Sequence, residues 1–109
     1  MSVTERAPFA APPALIEAIR KATYRLFLLL ERRETQVREA NVSDIVSMAN
    51  AANRPDISNA ASTVEVAFSE WVDMAIALDK SPDYGEAIEN ESDAREELTL
   101  ALNSLRRSR

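Results

Sequence analysis

The chain has 109 residues with one glycine, five prolines, no cysteine, no histidine and a formal charge of −5. That length suits a single modest core; the missing cysteine excludes disulfides and thiol chemistry, and the missing histidine removes the commonest general base and metal ligand near neutral pH. No apolar run approaches the roughly 20 residues that span a bilayer, and Glu5, Arg6, Pro8, Pro12 and Pro13 do not make a secretory leader, so a soluble cytoplasmic protein is expected.

Residues 1–12 lack periodicity and read as a flexible arm, with Phe9 its one side chain suited to docking on the body. A single helical domain is expected from residue 13 to residue 109. Pro12 and Pro13 stand where proline is tolerated, at a helix entrance. From there a first helix is predicted over about 14–40, with Leu15, Ile19, Ala22, Leu26 and Leu29 spaced in the threes and fours of a packing seam. Continued, the seam meets Arg33 and Gln36 before Val37 and Ala40. The turn Leu26-Phe27-Leu28-Leu29-Leu30 is apolar on every side, whereas a helix of a small domain ordinarily buries one stripe. At 100° per residue Tyr24 and Leu28 fall on the polar side, beside Lys21, Arg25, Glu31 and Arg32, with Phe27 at the margin.

Asn41-Val42-Ser43-Asp44 is predicted to end the first helix and start a second, over about 43–53, with Ser43 as its cap and Asp44 at its positive end. Arg54-Pro55-Asp56 punctuates again. A third helix is predicted over about 56–78, on a seam of Ile57, Ala61, Val64, Phe68, Trp71, Ala75 and Leu78; Trp71 belongs to the core and Val66 is the apolar outlier on the polar side. Ser81-Pro82-Asp83-Tyr84-Gly85 is a turn. A fourth helix is predicted over about 86–107, its acidic opening prone to fray before Ser92 caps the remainder, its apolar face formed by Leu98, Ala101, Leu102 and Leu105. The fold class expected is all-α, a small bundle of three to four helices that associates through the first.

Chemistry-bearing patterns are few. Asp79-x-Ser81-x-Asp83 has the alternating oxygens that open a calcium loop, but Tyr84 stands where glycine is required and Asn90 where a bidentate glutamate is required. The carboxylates Glu86, Glu89, Asp93, Glu96 and Glu97 have the spacing of an exposed charged face, and a ferritin-type di-metal bundle would need histidine. The third helix carries no Lys or Arg from Asp56 to Asp73, which argues against a DNA-recognition helix. No catalytic residue, cofactor or metal site is expected.

Arg33 occupies a seam position, where a charged group must lie at a helix end, pair with a carboxylate or line a pocket. The stretch Leu28-Leu29-Leu30-Glu31-Arg32-Arg33-Glu34 resembles the first helix of the all-α chorismate mutases. That resemblance implies an intertwined helical dimer in which an arginine of this helix binds a dicarboxylate. The sequence departs from that family where Leu15 replaces the upstream arginine and Ser43 the downstream lysine, and the second helix lacks the Arg-Glu pair.

Charge is divided unevenly. Residues 1–54 carry eight basic and six acidic groups, and residues 55–109 carry five basic and twelve acidic groups. The function expected from these features is a non-catalytic regulator, a homodimer that binds and inhibits another, unidentified protein through an apolar helical surface formed by Tyr24, Phe27, Leu28, Glu31 and Val66. The alternative is an acidic nucleic-acid mimic that blocks a DNA- or RNA-binding protein. Direct binding of nucleic acid or membrane is not expected.

Overall fold

The computed structural model describes residues 10–109. Four helices follow one another, α1 (Pro13–Arg32), α2 (Ser43–Ala51), α3 (Pro55–Lys80) and α4 (Gly85–Ser108), and no strand occurs among the described residues. The all-α expectation holds. Phe9 and the rest of the arm before residue 10 lie outside the described residues. No helix is long and apolar enough to cross a membrane.

Helix α1 begins with Pro13 in its first turn, where the missing N–H costs nothing. It buries Leu15, Ile19, Thr23, Leu26 and Leu30, and then stops far short of residue 40. Arg33 turns left-handed at φ 55°, its N–H bonds the Leu30 carbonyl at 3.2 Å, and the Glu34 N–H bonds the Leu29 carbonyl at 2.9 Å. This pairing is a Schellman cap, a motif usually built on glycine. The physical reason lies in the seam: another turn of helix would press Arg33 and Gln36 into the core. The chain reverses, and the non-helical segment 34–42 buries Ala40 and Val42 in their place. The Arg25 guanidinium donates to the Ala40 carbonyl and ties that segment back along α1.

A non-glycine residue in the left-handed region costs about 1–2 kcal/mol. Arg33 also makes a 3.7 Å ion pair with Asp79, both side chains well exposed, and such pairs contribute little. Arg33→Gly is therefore expected to raise stability by about 0.5–1 kcal/mol in urea unfolding. A destabilised variant would show that the Asp79 pair outweighs the backbone cost.

Helix α2 starts at Ser43 itself, with Val42 at the cap and no side-chain capping bond, so Ser43 does not play the capping role expected of it. Asn53, at φ 58°, ends the helix with the same motif: its N–H reaches Asn50 at 3.1 Å and the Arg54 N–H reaches Ala49 at 2.8 Å. Pro55 then opens α3, which buries Ile57, Ala61, Val64, Ala67, Phe68, Trp71, Val72 and Ala75. Helix α4 runs unbroken from Gly85, without a fresh start at Ser92. Its acidic first half is held because Ala87, Glu91 and Ala94 continue the buried face of Leu98, Ala101, Leu102 and Leu105.

The helices form a ring in which α4 lies between α1 and α3, and α2 lies between the same two on the other side, while α1 and α3 sit diagonally. The loop 81–84 makes α3 and α4 antiparallel neighbours. Arg33 at the end of α1 meets Asp79 at the end of α3, so those two helices run the same way. The segment 34–42 and α2 together make the second descending limb, partly extended and partly helical. The centre is filled by Trp71 and Phe68, both fully buried, with ring centroids 6.0 Å apart and planes tilted by 46°.

Candidate interaction surface

Two arginines bind the helix ends into the bundle. Arg54 is buried, forks onto both Asp56 carboxylate oxygens at 2.9 and 2.8 Å, and donates to the Ser108 carbonyl at 2.7 Å. The bidentate bond from Arg54 holds the Asp56 carboxyl below its ordinary range. At the end of α1 Arg95 donates to the Leu30 carbonyl at 3.3 Å, a second donor to the oxygen that already accepts the Arg33 N–H.

Arg95 also belongs to an ionic cluster at the edge of the core. It reaches Glu91 Oε2 at 2.7 Å through Nη2, and the same oxygen accepts the Trp71 indole N–H at 3.0 Å. The Arg95 guanidinium stands 5.9 Å from the Trp71 ring centroid. Burial is the largest influence on Glu91 and pushes its carboxyl up. The Trp71 and Arg95 hydrogen bonds, with the charges of Arg95 and Arg33, together outweigh it and hold the group below its ordinary value. Every member is satisfied, since no buried side-chain polar atom among the described residues lacks a partner. The cluster is a structural clasp joining α1, α3 and α4.

Of the residues singled out from sequence, Tyr24, Phe27, Leu28 and Glu31 share α1, and Val66 stands apart. Tyr24 is 67% exposed and Val66 68% exposed, the two most open large apolar side chains described. Tyr24 and Phe27 border one cleft with Arg20, Thr23, Arg106 and Arg109, and the Arg106 guanidinium lies 5.6 Å from the Phe27 ring centroid. Phe27 and Leu29 are half-buried against the core. Leu28 is half-buried as well, but it is not among the side chains packed on that core. The five-residue apolar turn thus divides: Leu26 and Leu30 are buried, Phe27 and Leu29 pack against the core, and Leu28 is half-buried without packing on it, near the exposed Tyr24 and Glu31.

Val66 lies on α3, which stands diagonally across the ring from α1. Its neighbours are Glu65, Ser69, Glu70 and Asp73 on its own helix and, across a shallow groove, Glu97 of α4. The groove continues past Met74 and Ala94 to Asp93. Glu65, Glu70, Asp73, Asp93 and Glu97 form no ion pair with any described residue. The single apolar surface expected from sequence is therefore two surfaces, a basic-aromatic one on α1 and an acidic one on α3 and α4. Sequence reasoning missed Glu91 and the arginines of α4 that join the α1 surface. The signal for Glu91 was present, since Ala87, Glu91, Ala94 and Leu98 recur at helical spacing along one face.

No protein-family model matches the chain, and neither a curated protein nor a solved structure matches it.

Proposed function

We propose that the protein is a non-catalytic interaction module that binds another protein through the outward strip of α1 and modulates its activity. The observation that carries this reading is the α1 strip on which Tyr24 stands 67% exposed, one turn before the half-buried Leu28, a leucine that is not among the side chains packed on the core. Contiguous apolar side chains left in that position are favourable to cover, and on a helix the natural cover is another helix laid along the strip. Tyr24 supplies a rigid aromatic anchor with a polar tip. Of the cations on this helix, Arg25 is held on the Ala40 carbonyl and Arg20 and Lys21 share Glu17, while the exposed Arg32 has no such partner among the described residues. The excess of positive charge fits a partner with an acidic rim.

The unpaired carboxylates around Val66 favour a second reading, in which the α3–α4 groove receives a basic segment of a nucleic-acid-binding protein. Affinity capture from the native host separates the two. Under the α1 reading, Leu28→Glu reduces recovery of the captured protein roughly tenfold or more, and added salt has a modest effect. Under the second reading Leu28→Glu changes nothing, and 0.5 M salt releases the partner. Equal capture by wild type and Leu28→Glu in both salts would remove the α1 strip from consideration.

A further inference from the structure

The two surfaces complement one another. Helix α1 carries Arg20, Lys21, Arg25 and Arg32 against Glu17 and Glu31, and Arg106 and Arg109 of α4 add to the same side through the cleft they share with Tyr24 and Phe27. The groove between α3 and α4 carries Glu70, Asp93 and Glu97, Glu65 and Asp73 add to it from the adjoining outer face of α3, and α3 holds no cation between Pro55 and Asp79. Each surface has an exposed apolar side chain at its centre, Tyr24 on one and Val66 on the other. The strip and the groove lie on opposite flanks of α4, which stands between α1 and α3. No ion pair among the described residues joins the bases of one to the acids of the other, so their complementary charges are not spent within one chain. They can meet between chains.

We infer that a second copy of this chain occupies the groove: the basic strip of α1 from one molecule seats between α3 and α4 of the next. The inference rests on the reading of α1 as an association surface and names what it docks against. Its geometry differs from a two-fold dimer, in which one patch meets itself. Here two different patches meet, so each molecule keeps one free donor and one free acceptor, and assembly proceeds head to tail until a ring closes or concentration limits it. A two-fold contact of α1 with α1 would set the arginines against one another, which the charge pattern disfavours. Apolar centres surrounded by opposite charges give an association that salt weakens without abolishing.

Sedimentation velocity on the full chain tests this with two variants whose changes lie on exposed side chains. Tyr24→Glu/Arg32→Glu spoils the strip and leaves the groove; Val66→Lys/Glu70→Lys spoils the groove and leaves the strip. Unchanged circular dichroism and melting confirm that each is folded. Wild type is expected to show oligomers that grow with concentration in 50 mM NaCl, with the association constant falling about tenfold in 500 mM NaCl. Each variant alone is expected to be monomeric. Mixed, the two are expected to form a one-to-one dimer and nothing larger, because one intact strip meets one intact groove. A wild type that stays monomeric at millimolar concentration overturns the inference, and the capture experiment then decides the α1 reading by itself. Wild-type dimers that survive the groove substitutions but not the strip substitutions also overturn it, while upholding association through α1.

Discussion

Trp71→Ala is expected to cost about 3–5 kcal/mol, the range for removing a large buried aromatic. The side chain is fully buried, packs on Phe68, and spends its indole N–H on Glu91. Truncation therefore opens a cavity and also deprives a buried carboxylate of a donor. A domain of this size has a total stability of about 5–15 kcal/mol, so the variant should lie near the edge of folding. Urea unfolding followed by far-ultraviolet circular dichroism measures the loss, since Trp71 is the sole tryptophan and its own fluorescence disappears with it. Trp71→Phe keeps most of the packing and drops the N–H; its expected cost is about 1–3 kcal/mol. If Trp71→Ala melted within a degree or two of wild type, the assignment of Trp71 to the core would fail.

The seams of α1, α3 and the second half of α4 were legible because apolar spacing in threes and fours is a local property. Leu15, Ile19 and Leu26 are buried as that spacing requires, and so are Phe68, Trp71 and Leu98. The end of α1 was not legible. Between Glu31 and Gln36 there is neither glycine nor proline, and the stop is set by a tertiary contest: Arg33 cannot enter the core, and Ala40 and Val42 can. The one sequence sign was the loss of apolar residues from the seam at Arg33, which a strained cap on a charged residue then resolves.

The candidate surfaces were legible in part for a related reason. An exposed apolar residue such as Tyr24 or Val66 stands out against its polar helix face, so both were identifiable from periodicity alone. Which helix flanks which is a matter of topology, and only the ring order separates Val66 from Tyr24 and gathers Arg106 and Arg109 beside Phe27. Glu91 was concealed by its company. It stands among the exposed acids Glu86, Glu89, Asp93, Glu96 and Glu97, and differs from them only in lying on the face that continues Leu98.

That difference gives Glu91→Leu a large expected effect. Glu91 is 7% exposed, and its removal leaves the Arg95 guanidinium without its carboxylate and the Trp71 N–H without an acceptor. Breaking a buried pair costs about 3–5 kcal/mol. Arg95 remains about a third exposed and can recover some water, so a loss of about 2–3 kcal/mol is expected here. Replacing Arg95 together with Glu91 by leucine should recover part of that loss, because an apolar pair leaves no stranded charge. The acid limb of stability provides an independent check. Glu91 is held below its reference value of 4.5, so its contribution is complete above that pH and is lost as pH falls through the lower folded-state value. In Glu91→Gln this contribution is missing at every pH. The stability gap between wild type and Glu91→Gln should therefore be widest at neutral pH and narrow steadily as solutions are acidified below about pH 4.5. A gap of constant size from pH 7 to pH 3 would mean that the ionised carboxylate does not bind α3 and α4 together, and that the clasp depends on the shape of the side chain alone.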